Sequence, residues 1–267
     1  IWNGDIEASH GAYLIEPGEK AWSIARRIGQ GRQTPVKVTF NNIRTSDRLA
    51  SRLASRMDFT AGEFEEACRK AAVADTLSPE QIAAQFLPDT YEVYWSATPE
   101  ELIAKIRKHY SRFWDDARRE KARKLGLTPL QVSVLASIVE EESNRRDERP
   151  KIARLYLNRL NRGMLLQADP TVKFATGDFE AKRITGAMLK SGSPYNTYRY
   201  PGLPPGIIRY PEAATIDAVL NAPEHSYIYM CARPDGSGYH DFTSDYQTHL
   251  DNARRFRKAA YGGSKPS

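Results

Sequence analysis

The segment TPLQVSVLASIVEEES, residues 128–143, constrains most strongly what this chain can fold into. Thr128 caps a helix there and Pro129 opens it, since proline's missing N–H costs nothing at the first helical position. The helix is the most apolar in the chain and ends in three carboxylates, Glu140, Glu141 and Glu142. With Val134 as zero and about 100° per residue, Leu130, Val132, Val134, Leu135, Ile138 and Val139 cover an arc from about 320° to about 160°. Glu142 falls at about 80°, inside the arc; Glu141 falls near its edge, and Glu140 falls at about 240°, on the opposite side. A carboxyl beside a hydrophobic wall is costly as an anion, so its pKa rises and it keeps a proton near neutral pH. A general acid needs that property. Two bland alternatives stand beside this reading: the helix frays before Glu142, or Arg145 or Arg146 pairs with it.

Burying such a helix takes a core, and 267 residues supply one large domain or two modest ones. Aromatics at 10% and well-spread apolar residues argue against disorder. The longest near-apolar stretch, residues 132–139, is far short of the ~20 residues a bilayer span needs. The chain begins at Ile1 rather than Met, which fits a mature or trimmed product, and a removed signal peptide or membrane anchor would leave no trace in it. Lys and Arg total 39 against 33 Asp and Glu, a formal charge of +6. That balance suits nucleic acid, an anionic lipid surface or an anionic wall polymer, or serves solubility alone. Cys68 and Cys231 are too few for a disulfide framework and lack metal-ligand spacing; one bridge and two buried thiols both remain open.

Along the chain, residues 12–15 form a strand candidate, and residues 21–28 carry Trp22, Ile24, Ala25 and Ile28 at helical spacing. Val36, Val38 and Phe40 alternate as a half-buried strand does, and Leu49, Leu53 and Met57 return to helical spacing. Residues 58–85 read as short helices capped by Thr60 and Ser78. FLPDTYEVY, residues 86–94, reads as extended because Pro88 resists helix. Thr98 and Pro99 then open a long helix running toward Leu125, whose basic latter half reads as a solvated face. Another helix covers residues 150–162. Beyond Gly163, Gly, Pro and Tyr dominate and strands are expected, for example at residues 227–231; helical spacing returns at 246–260, and GGSKPS is a flexible tail.

Downstream polar residues offer further chemistry. Gln167 and Asp169 sit in LLQADPTV, and YNTYRYPGLPPG, residues 195–206, combines flat rings, hydroxyls and amides in a stiff loop suited to a carbohydrate groove or to structural turns. His240 in GYHDF is a catalytic base, a groove residue or a satisfied surface histidine. The absence of GxGxxG, GxxxxGK, GxSxG, HExxH and CxxC strings argues against nucleotide, hydrolase-elbow and zinc chemistry.

Four ordered strings together resemble the YceG-like family, the MltG type of endolytic lytic murein transglycosylase. They are FLPDTYEVYWSATPEELI, LASIVEEESNRRDERPKIARLYLNRLNRGMLLQADPTVKFATG, SPYNTYRYPGLPPGII and GYHDFTSDYQTHLDNA. The resemblance implies an α+β fold: a small LysM-like α/β N-terminal module, residues 1–85, followed by a larger mixed α+β catalytic domain, residues 86–267. It implies cleavage of the MurNAc–GlcNAc bond of peptidoglycan by one carboxyl group, with no cofactor or metal, and closure of the muramyl 6-hydroxyl into 1,6-anhydro ends. Glu142, followed by Ser143, matches the acid, with Glu140 as runner-up. Gln167, Asp169, Tyr195, Asn196, Thr197, Tyr198 and His240 match substrate-binding positions, and Asn158 and Arg159 positions that fix a helix to the QADP turn. The implied partners are glycan strands and peptidoglycan synthases rather than nucleic acid, at the outer face of the cytoplasmic membrane behind an N-terminal membrane helix. The competing class is a non-catalytic glycan-binding or scaffold protein.

Overall fold

The computed structural model describes residues 8–261, so the chain start and the GGSKPS tail lie outside the described residues. The chain divides into two compact units, Ile1–Arg112 and Phe113–Ser267. The first carries α1 (Ala21–Gly29), β1 (Val36–Thr39), α2 (Ser46–Ala54), α3 (Ala61–Ala74), α4 (Pro79–Ala83), β2 (Thr90–Val93) and nearly all of α5 (Pro99–Phe113). The second carries α6 (Asp116–Lys124), α7 (Pro129–Glu142), α8 (Arg149–Asn161), α9 (Asp169–Thr176), α10 (Gly186–Leu189), α11 (Ala213–Leu220), β3 (Tyr229–Ala232), β4 (His240–Thr243) and α12 (Tyr246–Tyr261). The fold is mixed α+β. No helix of the described residues is long and apolar enough to cross a membrane.

In the first unit β1 and β2 pair antiparallel, Val36 opposite Val93 and Thr39 opposite Thr90. Phe40 stacks on Tyr91 with ring centroids 5.9 Å apart, and Leu49 and Leu53 of α2 are buried. Thr60 and Ser78 form capping boxes with Glu63 and Gln81, each satisfying two backbone groups at a helix start. The sheet moves the expected boundary. Residues 86–112 belong to the first unit: β2 completes the sheet with β1, and Arg107 of α5 pairs with Asp75 at the end of α3 and donates to Gln85 after α4. Residues 12–15 form no strand: Ala12 and Leu14 bond only to Thr34, which gives no ladder.

The long basic helix expected to reach Leu125 is two helices. Asp115 accepts from the Arg118 backbone N–H and so caps a new start, and Trp114 is buried in the break. The basic run is only partly a solvated face, since Arg118 pairs with Asp217 of α11, Lys121 donates to Asn221 and Arg119 donates to the Trp114 carbonyl.

At the centre of the second unit α7 packs against α6, α8, α9 and α11. Every residue from Val132 to Glu140 is buried, serines included; Ser133 and Ser137 turn their hydroxyls to the Pro129 and Val134 carbonyls. The helix therefore has no solvent side, and the position of Glu140 outside the apolar arc does not expose it. Its carboxylate is 2% exposed and lies 3.1 Å from Arg209 Nε and 3.6 Å from an Arg149 nitrogen. It also accepts from Thr215 Oγ1 at 2.6 Å and from the Glu212 backbone N–H at 3.0 Å. The segment after Gly163, expected to be strand-rich, holds three helices, α9, α10 and α11, besides the antiparallel β3–β4 pair. Glu140→Ala leaves buried Arg149 and partly buried Arg209 without this partner; we expect a loss of about 3–5 kcal/mol of unfolding free energy, read by denaturant titration.

Candidate active site

The end of α7 places three consecutive carboxylates in three different environments. Glu140 is the buried ion-pair centre just described. Glu141 accepts from Arg209 at 2.8 Å. Glu142, the last residue of α7, turns into a cleft of about 440 Å³ within the second unit. Neither bland alternative holds for Glu142. The helix stays regular through this residue, with Ser143 extended after it. Arg145 donates instead to the Ser237 carbonyl and lies over the Tyr239 ring, and Arg146 pairs with Glu212.

Among the described residues Glu142 makes one hydrogen bond: it accepts through Oε1 from the Tyr156 hydroxyl at 2.5 Å. Burial pushes its pKa up to about 7, and the charges of Asp169 and Glu141 push the same way; the Tyr156 hydrogen bond and the Arg159 charge oppose them. The negative end of the α7 dipole also disfavours the anion. At neutral pH the group holds a proton in a substantial fraction of molecules, as a proton donor requires.

Of the sequence-derived candidates, Glu142, Gln167, Asp169, Tyr198 and His240 line this cleft. Gln167 takes a left-handed conformation, φ 50°, which turns the chain into α9; its N–H donates to the Thr197 carbonyl. Asp169 accepts from the Tyr198 hydroxyl at 2.5 Å, while Glu142 accepts from Tyr156. His240 is clamped by Glu148, whose carboxylate meets both its backbone N–H and its Nδ1 at 2.8 Å; Ser143 Oγ donates to the same carboxylate.

Tyr195, Asn196 and Thr197 are not among the cleft's lining residues. Tyr195 packs on Phe174 at 4.7 Å between centroids. Asn196 is fully buried, donates to the Leu189 and Ser191 carbonyls and accepts from the Tyr198 N–H. Thr197 Oγ1 accepts from the Ala168 N–H and lies 2.8 Å from Thr171 Oγ1. The groove composition of this loop thus splits: Tyr198 faces the cleft, Thr197 fastens the loop to the QADP turn, Asn196 fastens it to the end of α10, and Tyr195 packs on α9.

Sequence reasoning missed Tyr156, Tyr229 and His249 as cleft residues and left Arg159 as a structural position. Arg159 is buried, donating to the Ile228 carbonyl at 2.8 Å and the Leu166 carbonyl at 2.5 Å, so it does tie α8 to the turn before Gln167 while also lining the cleft. Asn158 holds the His225 and Tyr227 carbonyls instead. The available signal was spacing: Tyr156 and Arg159 stand three apart on α8 and share a face. Both cysteines are free thiols; Cys231 lines the cleft, and burial raises the Cys68 thiol to about 12. Asn196→Ala strands buried backbone groups; we expect a loss of about 1–3 kcal/mol in stability, read as a lowered Tm, rather than a selective loss of ligand binding.

Comparison with known proteins adds an independent line. The profile of the YceG-like family matches residues 2–255. An endolytic murein transglycosylase of Bacillus subtilis is 32% identical over 149 residues, covering 56% of this chain and 41% of that protein. An endolytic murein transglycosylase of Streptococcus pneumoniae is 27% identical over 168 residues, 60% of this chain and 30% of that one. The chain thus matches less than half the length of these curated relatives. The crystal structure of a yceG-like protein of Listeria monocytogenes superposes with a TM-score of 0.69 at 24% identity, over 90% of this chain and 83% of that one, and shows the same fold. With the profile spanning nearly its whole length, the chain belongs to the YceG-like family.

Proposed function

We propose that this chain cleaves peptidoglycan glycan strands internally as a lytic transglycosylase, with Glu142 as its acid. The observation that carries the reading is the Glu142 carboxyl, raised to about 7 by burial and, among the described residues, without a basic ion-pair partner, in a cleft whose other carboxyl, Asp169, is engaged by Tyr198. The names of the relatives supply the substrate class. Glu142 protonates the oxygen between N-acetylmuramic acid and N-acetylglucosamine, and the C1–O bond breaks. The muramyl 6-hydroxyl attacks C1 and gives up its proton to the Glu142 carboxylate. The product carries a 1,6-anhydro end and the acid is restored. One carboxyl suffices, unlike the two-carboxylate scheme of most glycosidases. Glu140 is unsuited to this role because its carboxylate is spent on Arg149 and Arg209.

In this reading Gln167, Asp169, Tyr198 and His240 contact the glycan. The order β1–α2–α3–α4–β2, closing a two-stranded antiparallel sheet around helices, supports a LysM-like glycan-binding role for the first unit. The substrate polymer lies outside the cytoplasmic membrane, which puts the catalytic unit on that side.

Mass spectrometry of digested sacculi tests the reading. The wild type releases anhydro-muropeptides, and Glu142→Gln releases none above background; reducing ends instead would mean hydrolysis, and sacculus binding without either product would mean a binding protein. Turnover falls as pH rises through about 7, because only protonated Glu142 donates. The stability effect has a definite sign as well. A carboxyl raised from 4.5 to about 7 contributes stability that is lost as pH rises across that window. Glu142→Gln is therefore more stable than wild type above pH 7, and the difference shrinks below pH 4.5 in thermal melts at several pH values.

A further inference from the structure

We propose that Tyr156 is a positioning residue that fixes which oxygen of Glu142 carries the transferable proton. The inference rests on the reading of Glu142 as the acid. Tyr156 projects from α8, is 1% exposed, and its hydroxyl donates to Glu142 Oε1 at 2.5 Å. Oε1 thereby becomes an acceptor. No other hydrogen bond or ion pair engages the Glu142 carboxyl among the described residues, so Oε2 carries the acid proton. A carboxyl on the last residue of a helix would otherwise rotate about its terminal torsion, which is broad and roughly two-fold. One donor anchored in a packed core removes that freedom and orders the proton toward the cleft.

The same hydrogen bond acts differently on the two charge states. It is stronger to the carboxylate than to the acid, so it stabilises the anion left after proton donation, the form that next accepts the muramyl proton. The other groups facing Glu142 are Glu141 on its own helix, Asp169 of α9, Arg159 of α8 and the Tyr198 hydroxyl, with His240 of β4 and His249 of α12 also lining the cleft. Arg159 is held by carbonyl oxygens and Tyr198 by Asp169, so neither supplies the donor that Tyr156 supplies.

The test is Tyr156→Phe, which removes one oxygen from a buried ring. Carbon-13 NMR of carboxyl-labelled glutamate follows the Glu142 resonance, assigned by its absence in Glu142→Gln. Without the hydroxyl, Glu142 titrates about one pH unit higher than in the wild type. The alkaline limb of the pH–rate profile moves up with it, and kcat falls about tenfold while KM changes less than twofold. A Glu142 titration and a pH limb that stay at their wild-type positions overturn the proposal, even if Tm and kcat both drop, because that outcome is a packing defect alone. If Tyr156→Phe does not fold, 3-fluorotyrosine at this position keeps the ring and makes a stronger donor; Glu142 must then titrate lower than in the wild type, and an unmoved titration overturns the proposal. Full activity in Glu142→Gln would sink the reading of Glu142 as acid, while the NMR titration would still report whether Tyr156 controls that carboxyl.

Discussion

Burying a helix that ends in three carboxylates is the constraint from which the second unit follows. Enclosing α7 on every side makes Glu140 an interior anion, and an interior anion must be paired or neutral. Arg149 of α8 and Arg209 ahead of α11 supply the positive charge, and Thr215 and the Glu212 amide fill the remaining acceptor positions. Those partners come from two separate later segments of the chain, so satisfying one carboxylate clasps α8 and α11 onto α7. Arg209 also takes up Glu141. Glu142 is the carboxyl this arrangement leaves to the cleft.

The cleft is built by backbone atoms as much as by side chains. Arg159 gathers the carbonyls of Leu166 and Ile228, joining the turn before Gln167 to the start of β3. Thr197 lashes the tyrosine-rich loop to the start of α9 and Asn196 ties it to the end of α10, which leaves Tyr198 and Asp169 facing the same space as Glu142. Glu148 grips His240 by backbone and ring together, fixing β4 to the segment just after α7. Each clasp satisfies a buried polar group and carries a cleft residue on or beside the segment it fixes, so packing and site geometry are one design.

Helix starts were the most legible part of the fold. Thr60, Ser78, Thr128 and Pro129 announce themselves through local chemistry that needs no distant partner, and together they mark three real helix starts. The break at Trp114 was harder, because apolar spacing continues across it and only the Asp115 cap ends the run. α9 and α11 were hidden by short length: a proline at the second position or a few threonines look like turn chemistry when fewer than three turns follow. The strand expected at residues 12–15 failed for the opposite reason, since a short apolar alternation becomes a strand only if a partner is in register.

The sequence by itself determined that an apolar helix would end in carboxylates, that polar residues after Gly163 would gather near a functional surface, and that the motifs belong to one family. It also pointed to Glu142, since a carboxyl within the apolar arc must meet a hydrophobic wall. Only the tertiary structure decided what each glutamate does. Helical periodicity counts one buried face, whereas α7 is buried on all of them, so the arc could not foresee that Glu140 would be interior and ion-paired. Likewise Asn196 and Tyr198 are chemically similar candidates two residues apart, and only the position of the Leu189 and Ser191 carbonyls turns one inward and leaves the other at the cleft. Charge and hydrogen-bond satisfaction at a buried site depend on partners tens of residues away, and no local pattern encodes them.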